Sequence, residues 1–186
     1  MLKRFTFFVV LIGTLLFYFS TAFAGYFAIG GGKNDEVNNL SLEAGTVDIE
    51  LGNHNYLFAI GIPFILHGDG DIPDGTIESP ISHDKYVSLD KKNDGTELGL
   101  FAKFGVELWH SGFYLSLLGG FSRANEIELV RSTETGQYFV QSSEGKSYSL
   151  YGGSIGYFSD IFNREICILV DYDNRRGVTG TIGFHW

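Results

Sequence analysis

The chain is predicted to be all-β: an eight-stranded antiparallel up-and-down transmembrane β-barrel. Three observations predict it. Eight segments read as strands, and seven of them sort their residues into an apolar face and a polar or small face with a period of two, which extended chain does and a helix does not. The connections between them alternate between tight turns and longer polar stretches, as in barrels whose short turns share one side of a membrane. Glycine and aromatic residues are abundant and proline is scarce. Beyond residue 24 no apolar run reaches the roughly 20 residues that a spanning helix needs.

In chain order, segment 25–33 sets Phe27, Ile29 and Gly31 against Tyr26, Ala28, Gly30 and Gly32. The polar stretch 34–40 is expected to be a loop. Segment 42–51 sets Val47, Ile49 and Leu51 against Thr46, Asp48 and Glu50, and turns at 52–55. Segment 56–66 places Phe58, Ile60, Ile62 and Phe64 on one side, with Pro63 marking a bulge or strand end because it cannot donate to a ladder. Residues 67–95 form the longest irregular stretch. Segment 96–109 is the clearest strand, with Leu98, Leu100, Ala102, Phe104, Val106 and Leu108 opposite Glu97, Gly99, Phe101, Lys103, Gly105, Glu107 and Trp109. After a turn at 110–112, segment 113–122 alternates again. Residues 123–146 form a second long polar region, with room for its own hairpin through 127–129 and 138–140. Segments 147–158, 164–172 and 177–186 complete the eight. The first of these three has ambiguous parity.

The two ends of the chain add direction. Lys3 and Arg4 precede an apolar run from residue 5 to 19, and Ala22-Phe23-Ala24 is a small-x-small site. These are the parts of a secretory signal peptide, giving an expected division into 1–24, cleaved, and 25–186, the barrel domain. Loss of Lys3 and Arg4 takes the formal charge from -9 to -11. That acidity argues against nucleic acid as a partner. The single Cys167 forbids an internal disulfide.

Parity alone leaves two ways to turn the faces. A soluble barrel points its apolar face inward, whereas a membrane barrel points it at lipid and holds its charges in the lumen. Gly99, Gly105, Gly120 and Gly183 on the polar face would make room in a narrow lumen. The expected lumen network is Asp48, Glu50, Glu97, Lys103, Glu107, Glu165 and Asp171, with Arg175 or Arg176 within reach from the last loop. Eight strands leave an interior that side chains fill, so a plug is expected ahead of a cation-selective conduit.

No catalytic, metal or cofactor site is expected. The stretch 67–75 is Asp-rich but lacks the ligand ladder and closing Glu of an EF-hand. The histidines are scattered singly.

Segment 177–186, with Val178, Ile182, Phe184 and Trp186 on one parity, resembles the carboxy-terminal signal of bacterial outer-membrane barrels. That likeness implies the barrel assembly machinery as a partner. The mature chain as a whole resembles the OmpA/OmpX-like class of small eight-stranded outer-membrane barrels. It also has an architectural likeness to lipid A deacylase barrels, which carry a His-x-Ser-Asn motif. Here that place reads Asp171-Tyr172-Asp173-Asn174, with neither hydroxyl nucleophile nor neutral base. These likenesses imply a non-enzymatic structural or surface-interaction protein of the Gram-negative outer membrane. Its partners would be membrane lipids, lipopolysaccharide and an external ligand at the long loops 67–95 and 123–146. A lipid A-modifying enzyme, a narrow cation channel and a soluble periplasmic ligand-binding barrel are the alternatives.

Overall fold

The computed structural model describes residues 24–34, 37–67, 76–78, 85–161 and 164–186, so the expected signal peptide lies outside the described residues up to position 23. The strands are β1 (Gly25–Asn34), β2 (Val37–Leu51), β3 (His54–Leu66), a two-residue β4 (Ile77–Glu78), β5 (Tyr86–Leu108), β6 (Phe113–Ser132), β7 (Tyr138–Ile161), β8 (Arg164–Asp173) and β9 (Gly177–His185). Apart from β4, each pairs antiparallel with the next along the chain, and β9 returns to β1 from Tyr26↔His185 to Gly32↔Thr179. The result is a closed eight-stranded up-and-down barrel. β4 stands outside it, parallel to β7 through Ile77↔Phe139.

The alternation maps onto the two sides of this wall. On β6, Phe113, Leu115, Leu117 and Phe121 face out, and Tyr114, Ser116, Leu118 and Ser122 face in. β9 behaves likewise, with Val178, Ile182 and Phe184 out and Thr179 and Thr181 in. The ambiguous parity of β7 resolves with Leu150, Ser154, Gly156 and Phe158 inward. The inward glycines let strands and side chains approach closely. A Cβ on Gly61 would lie 2.1 Å from the Phe101 ring, and one on Gly105 would lie 2.1 Å from Ser116 Oγ.

Three expectations are corrected. Residues 37–40 are strand, paired from Asn34↔Val37 to Gly31↔Leu40, so the β1–β2 connection shrinks to residues 35–36. Pro63 stays inside β3 opposite Ser41. Its missing N–H falls where the β3–β5 ladder is interrupted between Gly61↔Phe101 and Phe64↔Leu98. The described residues of the two long "loops" are largely sheet. Residues 86–94 pair with 125–132, and 127–131 pair with 138–142, so β5, β6 and β7 run on past the barrel as a blade. The hairpin expected within 123–146 is part of it.

Candidate functional site

The lumen is built in layers. At the end that carries the tight turns, Tyr26, Val47, Leu57, Ala59, Tyr114, Phe158, Cys167 and Leu169 form one apolar cluster. Phe158 receives Tyr26 and Tyr114 edge-on, with ring centroids at 5.1 and 5.3 Å. Tyr114 donates its hydroxyl to Asp48 Oδ1 at 2.6 Å, which closes this end with a polar rim. Beside it, Glu107 accepts from Asn55 Nδ2 at 2.8 Å and from the Gly112 N–H at 2.7 Å.

Above the apolar layer runs a chain of ions. Lys103 Nζ donates to Glu43 Oε2 at 2.7 Å and to Asp171 Oδ1 at 2.9 Å, and Tyr26 donates its hydroxyl to Glu43. Asp171 Oδ2 lies 4.0 Å from Arg176 Nη2. Asp173 accepts from the backbone N–H groups of Arg175 and Arg176 at 2.9 and 2.8 Å and from Arg176 Nε. The Arg176 guanidinium lies 4.7 Å from the centre of the Phe101 ring, which itself rests on Gly61. At the mouth, Arg175 donates to Glu97 through Nε at 2.9 Å and through Nη2, and stacks 4.0 Å from the centre of the Tyr148 ring. Glu97 also accepts from Ser122 Oγ, and His67 Nε2 lies 2.8 Å from it.

Burial makes this chain mutually dependent. Lys103, Glu97, Asp171 and Arg176 have no exposed surface, and Glu43 and Asp173 almost none. An ion this deep costs several kcal/mol to desolvate, and the cost is offset only by a close opposite charge with its remaining hydrogen bonds satisfied. Lys103 satisfies two carboxylates at once. Ser154 Oγ, Asp171 Oδ2, Thr181 Oγ1 and both Arg176 Nη atoms are buried without a hydrogen-bond partner among the described residues. Arg176 is therefore held by its Nε bond to Asp173, its ion pair with Asp171 and the aromatic face beneath it.

Of the expected lumen residues, Glu97, Lys103 and Asp171 lie in this chain and Glu107 is half-buried at the tight-turn rim. Asp48, Glu50 and Glu165 are exposed and do not belong to it. For β2 the cause is a bulge. One extra residue between Thr46 and Ile49, with Asp48 at φ 55°, reverses the parity, so that Val47 is buried. The same reversal hid Glu43 from sequence reasoning, since a face counted back from Ile49 puts it outside. Glu50 and Glu165 lie on rungs near the tight-turn end, paired with Asn55 and Asp160, past the closed part of the lumen. Arg175 and Arg176 do reach in from the β8–β9 turn. Asp173 is the last residue of β8, one residue past the segment 164–172 expected from the sequence, and lies on the inward parity of Asp171. Val178, Ile182, Phe184 and Trp186 all face out.

Ser122, Glu97 and His67 invite comparison with a Ser-His-acid triad, but their order is wrong for one. The carboxylate stands between the other two, so no His nitrogen is shown accepting the Ser122 proton. In the segment set beside the deacylase motif, Asp171 and Asp173 belong to the ion chain. Asn174 pins the wall, donating to the Ser149 carbonyl at 3.0 Å and accepting from the Tyr151 N–H at 2.9 Å. Among the described residues no cluster of three His, Cys, Asp or Glu side chains is placed to hold a metal ion. The Asp-rich stretch 68–75 lies outside them. The chain matches no protein-family model and no curated protein.

Proposed function

We propose that this protein is an outer-membrane β-barrel of the Gram-negative envelope, non-enzymatic, with a plugged lumen and a surface-interaction role carried by its blade. One observation carries the reading: the wall has its polarity reversed relative to a water-soluble barrel. Leu117 is 77% exposed and Phe184 63% exposed, whereas Lys103 and Arg176 on the inner side are fully buried. Soluble monomers rarely expose apolar patches beyond a few hundred Å², but here large apolar side chains face out around the wall on β1, β3, β5, β6, β8 and β9. The band covers residues 98–108 on β5 and 113–121 on β6, close to the 9–11 residues with which a tilted strand crosses a hydrocarbon core. Exposed Tyr151 and Tyr172 lie at its blade-side edge, and Trp109, Phe113 and Trp186 lie at the other.

On this reading the tight turns face the periplasm and the blade faces outward. Outer-membrane lipid and lipopolysaccharide cover the band, the parity of Val178, Ile182, Phe184 and Trp186 addresses the assembly machinery, and the blade meets an external partner. An apolar floor under an ion chain that fills the lumen favours a plug over a conduit. The test is cell fractionation followed by gel electrophoresis of unheated and heated samples. An outer-membrane protein whose mobility shifts on heating is expected. A soluble periplasmic protein without a shift overturns the reading. Discrete ion conductance in planar bilayers would replace the plug with a channel.

A further inference from the structure

We infer that the ion cluster in the middle of the lumen binds one proton at neutral pH, shared by Glu43 and Asp171. The inference concerns the inside of the wall and stands whether lipid or water covers the outside. Its first ground is charge. The cluster holds three carboxylates, Glu43, Asp171 and Asp173, and two cations, Lys103 and Arg176. All five are buried, with Glu43 the most exposed at 2%. Fully ionised, the cluster carries one negative charge without a counter-ion, in a place where an unpaired ion is strongly disfavoured. The other cations do not make up the difference. Among the described residues Lys103 and Arg176 are the only buried lysine and arginine. Arg175 is taken by Glu97 at the mouth, where His67 also lies. Arg164 starts the opposite end of β8. Beyond residue 24, the stretches outside the described residues (35–36, 68–75, 79–84 and 162–163) contain no Lys or Arg in the sequence.

The second ground is hydrogen bonding. Lys103 Nζ reaches Glu43 Oε2 at 2.7 Å and Asp171 Oδ1 at 2.9 Å, so one ammonium is divided between two carboxyl groups. Asp173 stands outside that contest, holding Arg176 Nε and two backbone N–H groups. Asp171 Oδ2 has no hydrogen-bond partner among the described residues, and Arg176 Nη2 is 4.0 Å away. The Ser154 hydroxyl, on the rung beside Asp171, is likewise without a partner among them. An ionised oxygen in that position has given up its hydration for little return, and a protonated one has given up far less. Glu43 Oε1 faces the Tyr26 hydroxyl, a group that accepts as well as donates. Two carboxyl groups around one cation titrate as a pair, so the first proton belongs to both.

The groups that face this pair come from every side of the wall. β1 brings Tyr26, β5 Lys103, β8 Cys167 and Asp173, and the β8–β9 turn Arg176. β6 brings Tyr114, whose hydroxyl is spent on Asp48 in the floor below. β3, β7 and β9 turn uncharged residues inward at this level, among them Ala59, Ser154 and Thr179. The folded chain therefore holds a proton that the unfolded chain, with its carboxyl groups ionised above about pH 5, does not. Folding above that pH takes up this proton. The site's share of the folding equilibrium constant then falls about tenfold per pH unit, until the folded site itself releases the proton.

The test is infrared spectroscopy of the folded protein at neutral pH, in an ester-free detergent that leaves the carboxylic acid region clear. A C=O band of one protonated carboxyl group, shifted in heavy water, is expected in the wild type. It is expected to vanish in Glu43→Gln and in Asp171→Asn, because each substitution leaves two carboxylates to two cations. A wild-type spectrum without the band overturns the proposal, and that result needs no variant to fold. A band that survives either substitution places the proton elsewhere and overturns it too. Urea unfolding against pH gives the second readout, with a dependence steeper by one proton in the wild type than in Glu43→Gln. Equal pH dependences, with wild-type stability rising with sodium concentration at fixed pH, would assign the missing charge to a trapped cation and sink the proposal.

Discussion

The strands β5 and β6 pass without a break through two different regions. In the barrel wall, residues 113–122 of β6 alternate strictly, with apolar groups outward and Tyr114, Ser116, Leu118 and Ser122 inward. In the blade, residues 126–129 of the same strand are all half-buried, and Lys91, Lys92 and Asp90 run together along β5. The hydrogen-bonded ladder is the same in both. What differs is the contrast between the two faces: the wall separates an ion-filled lumen from an apolar exterior, whereas among the described residues of the blade only Val130 and Ser132 are buried. Side-chain alternation is thus imposed by the surroundings of a sheet, while backbone pairing is not.

The comparison can be tested from the inside of the wall outward. The largest expected effect is at Lys103. Replacing it with methionine leaves Glu43 and Asp171 buried without their shared cation, and the barrel should lose about 3–5 kcal/mol in urea unfolding. A loss below about 1 kcal/mol would mean that the ion chain does not hold the wall. Next come glycines on opposite faces. Gly61→Val must displace the Phe101 ring that carries Arg176, at a cost of about 1–3 kcal/mol. Gly119→Ala, outward with nothing within 4 Å, should be neutral or gain up to about 1 kcal/mol. Equal losses at both would erase the difference between the faces.

The smallest effect belongs to the blade. Lys146 Nζ donates to Glu126 Oε2 at 2.7 Å, which holds the Glu126 carboxyl below the usual carboxylate range and the Lys146 ammonium above its own. The sign follows from each group. Support from Glu126 is present above the unfolded carboxylate pKa of about 4.3 and is lost as pH falls through the folded value. Support from Lys146 is present below about 10.4 and is lost as pH rises through its raised value. Acidification below about pH 4 should therefore open this pair, seen as faster amide exchange at 126 and 146, with the barrel transition unmoved. Coincident loss of barrel and blade would show them to be one cooperative unit.

Legibility in the sequence followed the same boundary. The eight wall strands, and the faces of all but β2 and β7, could be read because lumen and exterior imposed period two on them. The sequence reading stopped at 96 on β5 and at 122 on β6, where that contrast ends, so the blade was taken for loops apart from the hairpin expected through 127–129 and 138–140. Within the wall the reading failed where geometry departs from a plain ladder. The bulge at Thr46 and Ile49 shifted β2 by one residue, hid Glu43 and placed Asp48 in the lumen. The ion chain was half legible: Glu97, Lys103 and Asp171 lie on parity, and Asp173 on the same parity one residue beyond the expected strand, whereas Arg175 and Arg176 enter from a turn. Their convergence depends on closure of the barrel, which brings residues distant in sequence, such as Glu97 and Arg175, into contact.

The central claim is that lipid covers the outward face of the wall and water covers the blade. It is tested most directly by a pair of arginine substitutions on one barrel folded into phospholipid vesicles: Leu117→Arg at the middle of the β6 band, and Val87→Arg on the exposed blade strand. The account predicts a loss of about 2–4 kcal/mol of folding free energy at position 117, as for a cation at a bilayer midplane, and a change within about 0.5 kcal/mol at position 87. Equal, small effects at both positions would mean that water, not lipid, meets the outward face.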